Sequence, residues 1–158
     1  MNTAEPRYVK PKSATNFFNN TVGRLAKMGI SVYGSRILYV RGRKSGEWRS
    51  TPVNPMILDG TRYLVAPRGN TQWVRNLRAA NYTGELHLGH RVEQFRATEV
   101  TDDAKPPVLR VYLKRWKWEV GSFFEAGIDA NSSDETLLRV APGYPVFRIE
   151  PAEQRHTP

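Results

Sequence analysis

The pair Asp59-Gly60 lies between two strand-like runs, Ser50–Leu58 and Thr61–Ala66, and constrains the fold more than any other stretch of the chain. A two-residue connection of this composition favours a tight hairpin, because both turn positions need positive φ. Strands joined so closely must run antiparallel, since a parallel pair needs a crossover of a dozen residues or more. A second hairpin is expected at Gly89-His90, between Glu85–Leu88 and Arg91–Val100. Ile37–Val40 and Val146–Ile149 read as further strands. Pro52 and Pro55 mark the second strand as an edge or a bulged strand.

Helical patterns fall between the hairpins instead of alternating with single strands. Residues Asn16–Met28 carry Phe17, Phe18, Val22, Leu25 and Met28 at helical spacing, with Gly29 as a stop. Thr71 is a candidate cap for Gln72–Ala80, in which Trp73, Leu77 and Ala80 share a face. Pro106 and Pro107 suit the first turn of a helix running to Phe124, and Ser132–Glu135 resembles a capping box before Asp134–Val140. About six mostly antiparallel strands with short helices packed outside describe an α+β barrel. Residues 1–14 read as a flexible arm, 15–150 as one domain and 151–158 as a tail.

Several chemistries are excluded. The chain of 158 residues has no cysteine, so disulfides, thiol catalysis and iron–sulfur ligation are absent, which fits a cytoplasmic setting. Its three histidines, His87, His90 and His156, form no metal set, and no metal is expected. No stretch has the apolar length of a membrane span, and the first residues lack the apolar run of a signal peptide. Contact with a membrane surface through the basic face stays open.

The net charge is +9, and it is concentrated. Between Arg36 and Arg78 there are nine basic residues and two acids. The connection Arg41-Gly42-Arg43-Lys44-Ser45-Gly46-Glu47-Trp48-Arg49 combines glycines with cations, a pattern that can cradle an anion. A second basic break, Ala66-Pro67-Arg68-Gly69-Asn70, leads into a helix start, where unpaired N–H groups favour negative charge. Trp73 in that helix can lie against a ring, and Asn76 follows one turn later. The two clusters suit a phosphorylated aromatic cofactor. They do not suit a long polyanion, so no nucleic-acid partner is expected.

These motifs carry a resemblance. Arg43-Lys44-Ser45-Gly46, Arg49, Pro52-Val53, Tyr63–Gly69 and Trp73–Ala79 together resemble the deazaflavin-dependent nitroreductase family of actinobacteria. The resemblance implies a split β-barrel that binds coenzyme F420, with flavin mononucleotide (FMN) as the alternative occupant. It implies that Lys44 and Arg49 face the anionic tail, and that Ala66, Pro67, Arg68, Gly69 and Asn76 line the phosphate and ring region. Trp73 would close the pocket, and Arg43, Ser45, Pro52 and Val53 complete the cofactor-binding set. The expected activity is hydride transfer from reduced F420 to a quinone, nitro or activated-alkene acceptor, with Tyr63 and Tyr112 as candidate proton donors. The alternative is a protein of the same fold that binds a cofactor or a fatty acid without turnover. Split barrels of this kind often pair, so a homodimer is expected.

Overall fold

The computed structural model describes residues 7–9 and 35–152, with the side chain of Glu119 excepted. The helix expected at Asn16–Met28, most of the arm and most of the tail lie outside the described residues.

Seven strands form one antiparallel sheet. They are β1 (Arg36–Arg41), β2 (Trp48–Val53), β3 (Met56–Leu58), β4 (Thr61–Val65), β5 (Thr83–Leu88), β6 (Arg91–Glu99) and β7 (Val146–Pro151). Their order across the sheet is β2-β1-β5-β6-β7-β4-β3. The count exceeds the expected six because Ser50–Leu58 divides at Asn54-Pro55. That division shapes the whole molecule. β2 and β3 occupy opposite edges, yet only two residues join them. Such a link spans about 10 Å, whereas the edges of a flat seven-stranded sheet stand about 29 Å apart. The sheet therefore curls on itself into a split barrel. Pro52 and Pro55 sit where the sequence places them, on and beside the open edges.

Turn chemistry sets the register. Asp59 and Gly60 both take positive φ, 51° and 77°, and pair Leu58 with Thr61. In the β1–β2 hairpin, Arg41 pairs with Trp48, and the intervening loop closes with Gly42 N donating to the Glu47 carbonyl at 2.8 Å.

Among the described residues three α-helices flank the sheet: α1 (Gln72–Ala79), α2 (Pro106–Val120) and α3 (Asp134–Val140). α1 plugs the barrel. Its Val74 and Leu77 are fully buried among Leu38, Val40, Phe95 and Phe147. α2 and α3 cover a second core built on Trp116, Leu109, Leu113, Leu137 and Val146. α2 starts at Pro106 as expected but leaves helical geometry at Trp116 (φ −127°, ψ 15°). It ends at Val120, and a 3-10 turn, Gly121–Phe123, follows where a continuous helix was expected. At α3 the Ser133 Oγ accepts from Thr136 N at 3.1 Å. The cap is thus Ser133, one residue after the Ser132 of the expected Ser132–Glu135 box; Ser132 Oγ instead accepts from Asp129 N, and Thr136 stands where such a box would carry Glu. No helix among the described residues is long and apolar enough to cross a membrane.

Candidate functional site

Between the inner face of β1–β2 and the start of α1 runs an open groove of about 790 Å³. Its size is within the usual range for small-molecule sites. Period-two alternation puts Leu38 and Val40 of β1 on its floor, and their register partners Thr51 and Arg49 beside them. Trp73 forms the facing wall. Its ring packs 5.7 Å from Phe147, so it is a core anchor and a groove wall at once.

The β1–β2 loop is pinned to α1. Asn76 is buried, and its Oδ1 accepts from Arg43 N at 3.2 Å and from Arg43 Nη1 at 2.8 Å. Arg43 Nη1 also donates to Gln72 Oε1 at 2.9 Å. Arg43 thus braces the loop. Lys44 and Arg49 line the groove, and among the described residues Arg49 has only a loose, exposed contact of 3.9 Å with Glu47. Arg41 is turned outward, stacked 4.1 Å over Trp48 and bonded to the Gly46 carbonyl.

At the start of α1 the sequence expectation needs a correction. Thr71 is the N-cap by position, but its side chain makes no capping bond. Its Oγ1 is buried without a partner, in a residue that lines the groove. A buried hydroxyl left without a partner costs free energy. That orphan, the cations and the apolar floor fit a ligand with an aromatic body and an anionic extension.

Of the residues expected to bind cofactor, the groove brings together Arg43, Lys44, Ser45, Arg49, Pro52, Arg68, Trp73 and Asn76. Val53, Ala66, Pro67 and Gly69 do not line it. Ala66 is fully buried in the barrel core, and Gly69 turns toward the N-terminal segment. Tyr63 and Tyr112 also lie elsewhere. Tyr63 packs against the second core, and Tyr112 is buried there, 5.3 Å from Trp116. Neither is placed to pass a proton into the groove. Sequence reading missed Leu38, Val40, Thr51 and Gln72, although strand alternation and helix position could have found them. It also missed Tyr8, for which no local signal exists.

Residues 12–118, more than half of the chain, match the sequence profile of the F420H(2)-dependent quinone reductase family. The chain belongs to that family. No curated protein matches it in sequence. Among solved structures, it is similar to a chain described as a domain-swapped dimer, with 18% identity and a TM-score of 0.52 over 87% of this chain and 100% of the other. It is similar to HutZ, the heme storage protein of Vibrio cholerae, with 11% identity and a TM-score of 0.52, covering 77% and 84% of the two chains. An F420-H2 dependent reductase, FDR-A, aligns at 20% identity with a TM-score of 0.48, covering 74% and 94%. At these identities the two matches with a TM-score of 0.52 show the fold alone.

Proposed function

We propose that this protein is an F420H2-dependent oxidoreductase that passes a hydride to a quinone, nitro or activated-alkene acceptor. The observation that carries the reading is the groove itself. It joins an apolar strip, two outward cations and an unpartnered buried hydroxyl, and it does so in a chain of the quinone reductase family. When bound, reduced deazaflavin supplies the hydride, and the protein supplies binding, orientation and electrostatics. Leu38, Val40 and Trp73 would hold the ring by apolar contact. Thr71 Oγ1 and the start of α1 would meet phosphate oxygens. Lys44 and Arg49 would pair with the anionic tail, where charge-assisted hydrogen bonds are strong. Arg43 and Asn76 would keep the loop in place.

No carboxylate or histidine lines the groove among the described residues. The proton that accompanies the hydride into the acceptor is therefore assigned to solvent. The cytoplasmic setting and a homodimer belong to the same proposal, and sedimentation of the purified chain tests the second.

Parallel titration with F420 and FMN, followed by turnover of F420H2 with a quinone, tests the reading. We expect F420 to bind more tightly and the quinone to be reduced. Absence of binding by F420 would overturn it. Preference for FMN would replace the cofactor. Binding without turnover toward any of the three acceptor classes would favour a carrier role.

A further inference from the structure

The groove has a wall that does not belong to the barrel. Residues 7–9 lie antiparallel across the turn after β4, with Tyr8 bridged to Gly69. Val9 N donates to the Arg68 carbonyl at 2.8 Å, and Asn70 N donates to the Arg7 carbonyl at 2.7 Å. Arg68 Nε donates to the Val9 carbonyl at 2.9 Å. Arg7 reaches further. Its guanidinium donates to the carbonyls of Pro67 (2.9 Å), Gly143 (3.1 Å) and Phe123, and stands 4.4 Å above the Tyr144 ring. A segment near a chain end is usually poorly fixed unless something ties it down. Here one arginine ties it to three loops far apart in sequence.

The turn is shaped to receive it. Gly69 has φ +83°, and a Cβ there would stand 2.2 Å from the Arg7 carbonyl oxygen. Only glycine allows the two backbones to come this close. The result is specific placement of Tyr8, which lines the groove beside Arg68, Thr71 and Gln72. The Arg75 guanidinium lies 5.4 Å from its ring and donates through Nε to the Asn70 carbonyl at 3.1 Å.

We propose that residues 7–9 are a strap that completes the ligand groove, with Tyr8 touching the bound cofactor and Arg7 acting as its positioning residue. This rests on the assignment of the groove to a phosphate-bearing deazaflavin. The strap closes the side next to the α1 start, where Thr71 and Arg68 already line the groove. Tyr8 offers a ring face and a donor hydroxyl to the phosphate end of the ligand. Its removal would open that end to water and let the ligand leave faster.

The test is equilibrium and stopped-flow binding of F420 to the full chain and to Tyr8→Ala, Tyr8→Phe, Arg7→Ala and Gly69→Ala. Thermal melts and amide exchange at Asn70 accompany each. Tyr8→Ala is expected to bind roughly tenfold more weakly, on the scale of one aromatic contact, mainly through faster dissociation and with an unchanged melt. Tyr8→Phe should recover most of that loss. Arg7→Ala and Gly69→Ala should match Tyr8→Ala in affinity and also speed exchange at Asn70, because the Arg7 carbonyl no longer holds that amide. In the wild-type chain, F420 should slow the same exchange. Wild-type affinity in Tyr8→Ala would overturn the strap while leaving the groove assignment intact. Failure of the unaltered chain to bind F420 would overturn both, and no variant would then differ from it.

Discussion

The barrel has two arginine-rich openings, and they differ in what their charges are doing. The second, a cleft of about 510 Å³ at the other end, is lined by Arg36, Arg62, Arg91 and Arg115 over an apolar strip of Leu86, Leu88 and Ile57. It carries four cations, as many as the groove, with Glu93 set among them. Yet Arg62 is joined to Glu93 by two hydrogen bonds, and that partner raises the arginine pKa despite partial burial. Arg115 lies 4.6 Å over the Trp116 ring, and Arg36 donates to the Ser35 carbonyl. Among the described residues no helix begins at this cleft, and neither unpartnered buried hydroxyl, Thr71 Oγ1 or Ser35 Oγ, lines it. In the groove, by contrast, Arg43 braces the frame, Arg68 is bonded to the Val9 carbonyl, and Lys44 and Arg49 face the opening. A site is marked by donors left for a ligand. A count of charges does not mark it.

The sharpest way to break that contrast is to strip each opening in turn. Lys44→Ala with Arg49→Ala should weaken F420 binding roughly 30-fold, as two charge-assisted contacts of about 1 kcal/mol each would give. Arg91→Ala with Arg115→Ala should leave the affinity unchanged at the same ionic strength. Equal losses in the two titrations would mean that only the overall positive field attracts the ligand. A subtler test uses Asn76. Asn76→Ala removes the acceptor of both Arg43 bonds while leaving Lys44 and Arg49 in place. We expect roughly tenfold weaker binding, the scale of a charge-assisted hydrogen bond that fixes a loop. An unchanged dissociation constant would show that the loop needs no brace.

The same contrast explains how far the sequence could be read. Strand pairing, the Asp59-Gly60 hairpin, the proline-marked edges and the helix starts were legible, because each depends on local backbone chemistry. The groove was legible where its residues come from consecutive turns, as with Lys44, Arg49 and Trp73. The nine basic residues between Arg36 and Arg78, however, looked alike. Tertiary structure sends them to different tasks. Arg36 and Arg62 go to the far cleft, Arg41 to Trp48, Arg75 toward Tyr8, and Arg78 to Glu99. Nothing local distinguishes them, because the partner each one meets is set by packing; Arg62 and Arg78, for example, meet Glu93 and Glu99 on β6, distant in sequence. Tyr8 was illegible for the same reason, since its place depends on Arg7 reaching loops at Phe123 and Gly143. Tyr63 and Tyr112, read as candidate proton donors, lie at the second core and away from the groove, a placement set by tertiary packing.

Glu93 offers a smaller test. Glu93→Gln releases Arg62 and makes the far cleft more positive by one charge. If charge alone made a site, this cleft would gain affinity for F420. We expect no gain. Because both partners are partly exposed, the loss of stability should be about 1 kcal/mol. That corresponds to a fall in melting temperature of roughly 2–4 °C for a domain of this size. A thermal melt and a binding titration on the same sample read both outcomes.

The smallest effect concerns the pair Arg78–Glu99, which holds one of the nine cations away from the groove. Tyr82 donates to Glu99 Oε2 at 3.3 Å. Burial first, then the charge and hydrogen bond of Glu99, raise its pKa above the ordinary 10.0, against a smaller opposing effect of Arg78. The neutral phenol is thus favoured in the folded chain. A group with a raised folded pKa contributes stability that is fully present below the unfolded pKa and lost as pH rises through the folded one. The difference in stability between the wild-type chain and Tyr82→Phe should therefore be flat at neutral pH. It should shift against the wild type as pH climbs past about 10, where phenylalanine has no proton to lose. Denaturant melts of the two chains across that range would show it, and the subtraction removes the other tyrosines and lysines. F420 affinity at neutral pH should be the same in both. A loss of affinity in Tyr82→Phe would mean that the Arg78–Glu99 pair also supports the groove through Asn70, whose Oδ1 accepts from Arg78 at 2.5 Å.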